Sequence, residues 1–173
     1  ILSDEVYEHI IFDHRHESVL HYPELAERSF VIFSFGKTYH VTGWKLGYCL
    51  APEFLMNEFR KVHQYEIFSA NRPIQMALAD FMKDESEYSG LEDFYKRKRD
   101  IFLNEISGSR FKWKPADGTY FQLLDYSDIT DENDTDLAVR FTKEAGVASI
   151  PISVFYEDGY DQKVLRFCFA KED

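Results

Sequence analysis

The chain has 173 residues, 45% of them hydrophobic and 17% aromatic, enough to bury the core of one domain or parts of two. Its net charge of −11, from 31 acidic against 20 basic residues, disfavours nucleic acid or an anionic membrane surface as the main partner and points to a small molecule. No apolar run approaches the roughly 20 residues that span a bilayer, and the start lacks a signal-type segment, so the expected location is the cytoplasm.

The first residues, ILSDEVYEH, read as the end of a strand running into a loop. Short apolar runs at 29–35 (SFVIFSF) and 46–51 (LGYCLA) are bounded by turn-type residues and predict strands buried on both faces. Pro52 opens a helical pattern in which Phe54, Leu55, Phe59 and Val62 recur at helical spacing. A break at FSANRP (68–73) precedes a second helix from about Pro73 through IQMALADFM. A third, about 91–106, carries Leu91, Phe94, Tyr95, Ile101, Phe102 and Ile106, with Lys96 to Arg99 expected on its solvated side.

After Gly108 the pattern changes. RFKWKPADGTYFQLLDYS predicts two strands about an Ala-Asp-Gly turn, then a helix near 134–145 and strands near 147–150 and 163–169. Residues 128–136 form an acidic loop leading into a helix N-terminus, where carboxylates suit the dipole. The alternation of strand and helix predicts an α/β chain, with a shift of composition and topology near residues 85 to 90. Cys49 and Cys168 lie in apolar strand-like runs and are expected as buried free thiols in a reducing compartment. The chain starts without Met and stops directly after a strong strand, so both ends read as cut.

Two residues stand out chemically. Lys37, in SFGKTYHVTGWKLGY (34–48), sits on a turn between two expected strands, where partial desolvation makes an amine nucleophilic; otherwise it is a surface lysine. Arg166, in VLRFCFA, shares a strand face with Val164 and Cys168 rather than with a polar row, and needs a partner, which on the residues alone is a structural salt bridge.

The 34–48 stretch resembles the lysine motif of the class I/II, fold type I, pyridoxal-phosphate-dependent aminotransferases: Ser-x-x-Lys, then Thr-Gly-Trp and a cation. SDEVYEHIIFD, about thirty residues upstream of the lysine, and VLRFCFA near the end match the same family in the same order. The resemblance implies that residues 1–87 are the C-terminal part of a three-layer cofactor-binding domain and 88–173 an α+β small domain, incomplete at its end.

It further implies roles. Lys37 holds the aldehyde of pyridoxal 5'-phosphate and shuttles the substrate proton; Asp4 pairs with the pyridine nitrogen; and Tyr7 reaches the phenolic oxygen. Ser34 and Lys45 take the phosphate, with Lys45 standing where the family more often has arginine and its bidentate fork. Arg166 grips the substrate α-carboxylate. RKVHQYEIFSANRPIQMALADFM, PADGTYFQLLDYSDI and IPISVFY look most like the methionine and kynurenine aminotransferase branch, which takes apolar, sulfur-containing or aromatic amino acids. In that branch the aromatic at Phe68 reaches the neighbouring subunit's pocket of a homodimer and Tyr120 lies near the substrate; both are alternatively core aromatics. Arg72 keeps acidic substrates open.

The family's glycine-containing phosphate turn, stacking aromatic and cofactor-contacting asparagine are not found, so this stretch is expected to be a fragment inactive by itself. Two other functions use the same residues: a C–S β-lyase, and a non-catalytic regulator that binds the cofactor as a ligand. A plain assembly scaffold is a further alternative, and no metal site is expected.

Overall fold

A computed structural model describes residues 1–172 and falls into two units, Ile1–Glu92 and Asp93–Asp173. The first is organised by a three-stranded sheet in the order β1 (Leu2–Asp4), β2 (Phe30–Ser34), β3 (Gly47–Leu50). β1 is parallel to β2, with Leu2 opposite Phe30 and Asp4 opposite Ile32. β3 returns antiparallel, with Ser34 opposite Gly47. The parallel pair requires a crossover, supplied by residues 5–29, which include a 3-10 turn (Val19–His21) and the short helix α1 (Pro23–Ala26). Alternation along β2 buries Val31 and Phe33, and the crossover adds Ile10 and Phe12.

β3 departs from expectation. It was predicted buried on both faces, yet Gly47, Tyr48 and Leu50 are exposed and only Cys49 is half-buried. Within this chain it is the last of the three strands, and Tyr48 stacks on Phe33 (4.8 Å between ring centres).

Helix α3 (Glu53–Glu66) follows Pro52, and α4 (Arg72–Phe81) is capped by Asn71, whose Oδ1 accepts from Ile74 N at 3.2 Å. A single turn, α5 (Ser86–Ser89), closes the unit. α3 forms where the periodicity predicts it but has no buried residue.

α6 (Leu91–Glu105) starts at the division and leads into the second unit. There β4 (Phe121–Asp125), β6 (Val164–Cys168) and β5 (Ile150–Pro151) form an antiparallel sheet in that order. Helix α7 (Asp134–Arg140) runs on as a π-helical turn to Ala145 and stops at Gly146, whose φ of 68° is the left-handed conformation of a helix end. Leu124, Tyr126, Leu137, Ala138, Leu165 and Phe167 form the core, flanked by Phe102, Phe111 and Trp113.

Two expectations are corrected here. The first strand of the predicted 110–127 hairpin shrinks to one bridge, Lys112 with Asp125. Pro115 lacks the N–H a ladder needs, and the Gln122 side chain stands in for the partner, accepting from Ala116 N (3.0 Å) and donating to Lys114 O (2.9 Å). Arg99, expected on the wet face of α6, is buried, its Nη1 donating to Ala116 O at 2.8 Å. That loop carbonyl needs a donor, and the guanidinium supplies it.

Candidate active site

Strand register gathers the first set of residues. Asp4 ends β1, Ser34 ends β2, and β3 begins at Gly47 opposite Ser34, so all three termini share one edge of the sheet. Lys37 and Lys45 lie on the turn joining β2 to β3 at that edge. Open α/β sheets place ligands outside the carboxyl ends of their parallel strands, which here carry Asp4 and Ser34. Tyr7 follows Asp4 by three residues, and Lys37 Nζ lies 5.6 Å from the centre of its ring.

The turn is tightly folded. Phe35–Thr38 is a single helical turn, α2, and Thr42–Trp44 a 3-10 turn. Val41 N donates to Gly36 O at 3.0 Å. A Cβ on Gly36 would stand 2.9 Å from Thr42 Cα and 3.3 Å from Ser34 Oγ, so only glycine lets the chain double back beside Lys37. Lys45 is left-handed, with φ 53°. Lys37, Ser34 and Tyr7 are half-buried; Asp4 and Lys45 are exposed.

In the second unit, Arg166 lies opposite Leu123 of β4 and Ile150 of β5, on the sheet face away from buried Leu165 and Phe167. Its guanidinium carbon sits 4.3 Å from the Phe121 ring centre and 5.0 Å from that of Phe155. Arg166 Nε is buried without a hydrogen-bond partner, and among the described residues no carboxylate pairs with the side chain. The structural salt bridge considered as an alternative is therefore absent among them. Tyr120 is half-buried, with its ring 4.7 Å from Phe121 and 5.6 Å from Tyr95.

Phe68 is not a core aromatic of the first unit: it is 85% exposed, with a left-handed φ of 65°. Arg72 is exposed on the first turn of α4. Cys49 and Cys168 are free and half-buried. Among the described residues no helix is long and apolar enough to cross a membrane.

A family model described as aminotransferase class I and II matches residues 1–173. The chain belongs to this family. It is 51% identical over its whole length to a methionine aminotransferase of Escherichia coli and 33% identical to a kynurenine–oxoglutarate transaminase of Dictyostelium discoideum, covering 45% of each. It thus spans about half the length of the curated relatives it matches. Among solved structures it is similar to the Escherichia coli protein YbdL, described with a methionine aminotransferase function (TM-score 0.94, 51% identity, 99% of this chain and 46% of that one). It is also similar to the N-succinyldiaminopimelate aminotransferase of Mycobacterium tuberculosis (TM-score 0.92, 31% identity, 99% and 46%).

Aminotransferases of this class use pyridoxal 5'-phosphate. The donors at the sheet edge suit that group: an amine for its aldehyde, a carboxylate for its ring nitrogen, a phenol for its ring oxygen, and a hydroxyl with a second cation for its phosphate. The Gly36 contact keeps Ser34 and Lys37 on the same tight turn.

One cluster passed unnoticed in the sequence. Glu5 is buried and accepts from His16 Nε2 (2.7 Å), Ser3 Oγ (3.0 Å) and Val19 N (3.1 Å). Burial pushes its carboxyl up, but hydrogen bonds from His16, Ser18, Val19 and Ser3 outweigh this and hold it below the usual range. Glu8, beside Tyr7, has Oε2 buried without a partner, and burial raises its pKa. The density of histidines in EHIIFDHRHES was the only signal, and it follows no ligand or catalytic spacing.

Proposed function

We propose that this chain carries the cofactor lysine of an aminotransferase that moves the amino group of an apolar, sulfur-containing or aromatic L-amino acid to a 2-oxo acid. The observation that carries the reading is the register-driven gathering of Asp4, Ser34, Lys37 and Lys45 at one sheet edge in a chain of this family. The methionine and kynurenine relatives support the substrate class. Residues 1–87 are assigned to the cofactor domain and 88–173 to the smaller one.

Pyridoxal phosphate supplies an electron-withdrawing ring that stabilises the charge left when a substrate Cα–H proton is removed. Lys37 Nζ would hold the cofactor's aldehyde and would serve as the base that takes and returns the Cα proton. The Asp4 carboxylate would pair with the cofactor's ring nitrogen, and the Tyr7 hydroxyl would donate a hydrogen bond to its ring oxygen. Ser34 would donate to the phosphate, and Lys45 would neutralise it as a point charge. Arg166 receives the α-carboxylate, a partner that its orphaned Nε and aromatic bracket leave room for. Tyr120 and Phe68 offer aromatic surface to an apolar side chain. The exposed Phe54, Val62, Tyr65, Ile67 and Phe68 support a homodimer, and the free thiols suit the cytoplasm.

Borohydride fixation of pyridoxal phosphate on the full-length protein, followed by peptide mass mapping, tests the reading. The label is expected on Lys37, together with amino transfer from methionine to a 2-oxo acid. No label on Lys37, under conditions that fully label a known aminotransferase, overturns it. Pyruvate and ammonia from a β-substituted amino acid without any acceptor would replace transfer with elimination.

A further inference from the structure

Arg166 is held in a way that strand pairing does not explain. β6 fixes its backbone, but its guanidinium lies between two rings, Phe121 at 4.3 Å and Phe155 at 5.0 Å. Phe121 is seated in β4, on the strand paired with β6. Phe155 is different: it is 60% exposed, so packing does not set its position. It ends the 3-10 turn Ser153–Phe155, and that turn is anchored from beneath.

The anchor is Asp134, only 1% exposed. One carboxylate oxygen accepts from Ser153 N at 2.8 Å and the other from Ser153 Oγ at 2.7 Å. Both oxygens are thus committed to one residue, 19 positions away and itself 7% exposed. Charge-assisted bonds in such a site are short and directional, so they fix the turn more firmly than apolar contact would.

We propose that Asp134 and Ser153 are a positioning pair for Arg166: the clamp seats the 153–155 turn, and the turn sets the Phe155 ring that holds the guanidinium against Phe121. The proposal rests on Arg166 receiving the substrate carboxylate. The pair touches neither substrate nor cofactor; it acts on the arginine's orientation, and through it on carboxylate recognition.

The test uses the full-length protein loaded with pyridoxal phosphate and two unreactive probes, 3-phenylpropionate and its neutral amide, with dissociation constants read by calorimetry. Ser153→Ala is expected to weaken binding of the carboxylate by about fivefold, the equivalent of one lost hydrogen bond, and to leave the amide unchanged. Ser153→Thr, which restores a hydroxyl, recovers the affinity. Asp134→Asn, whose amide can accept from Ser153 N–H and donate to its hydroxyl, stays within about twofold of the parent. In an Arg166→Gln background Ser153→Ala has no further effect. Equal weakening of both probes, no weakening of the carboxylate, or an undiminished effect without Arg166 overturns the proposal. Should Arg166→Gln itself leave carboxylate affinity intact, the role assigned to Arg166 fails instead, and the two failures are distinguishable.

Discussion

Phe68 combines two features that rarely coincide: a bulky side chain 85% exposed and a backbone at φ 65°. Left-handed backbone in a non-glycine residue costs about 1–3 kcal/mol and survives where surrounding structure or function imposes it. Phe68→Gly removes both strain and ring. Unfolding free energy is therefore expected to stay within about 1 kcal/mol of the parent, while affinity for apolar amino acids falls; a loss of more than about 2 kcal/mol in stability would instead make it a packed aromatic. Glu5 yields a pH-dependent prediction. Its folded pKa lies below the free value of 4.5, so its network adds stability above that pH and loses it as pH falls through the lower, folded value. Urea unfolding of the parent and Glu5→Gln should differ at pH 6 and converge as the pH is taken below 4; a constant gap contradicts the assignment. At this scale the lysine motif was legible because the stretch from Ser34 to Tyr48 resembles that of a known family. The Glu5 network was not, because its partners, His16 and Val19, meet it through a crossover whose path no local pattern encodes.

Among the elements, the β2–β3 ribbon carries the lysine turn, and its weak point is a glycine with no side chain to spare. A Cβ on Gly47 would lie 2.3 Å from Phe33 O, a backbone atom that cannot yield without breaking the pairing of Phe33 with Tyr48. Gly47→Ala is expected to lower stability by about 3 kcal/mol and to abolish Lys37 labelling, whereas Gly43→Ala, whose Cβ meets nothing within 4 Å, should do neither. Thermal unfolding with borohydride labelling of both variants decides; equal behaviour would mean that the close approach is not constraining. The strands of this ribbon and helices α3, α4 and α6 were legible from short apolar runs and periodicity. What escaped was side-chain substitution for backbone: Gln122 replacing a strand partner, and Arg99 turned inward onto Ala116. Such bonds depend on the path of the 114–116 loop, which has no period.

For the whole molecule, alternation of strand and helix was enough to give the α/β class, because each run shows which of its faces is apolar. It does not show what covers that face. α3 has Phe54 62%, Val62 61% and Tyr65 86% exposed, and beyond its end Ile67 is 58% exposed. Apolar surface of this extent on one helix and its exit is of the kind that a further surface covers, and Phe68 follows it in sequence before the segment that opens α4. If the face joins two copies, charge introduced at its centre must separate them, since an unpaired lysine in a closed interface costs several kcal/mol. Val62→Lys combined with Tyr65→Lys in the full-length protein is therefore expected to turn a dimer into a monomer in sedimentation analysis, at unchanged helical content. A two-fold interface is self-complementary, so each substitution enters it twice and the effect is doubled. With Phe68 at its margin, dissociation should also weaken methionine binding more than it weakens pyridoxal phosphate retention. A double variant that remains dimeric, with substrate affinity intact, would mean that this face is covered within its own chain and that Phe68 serves no neighbouring site.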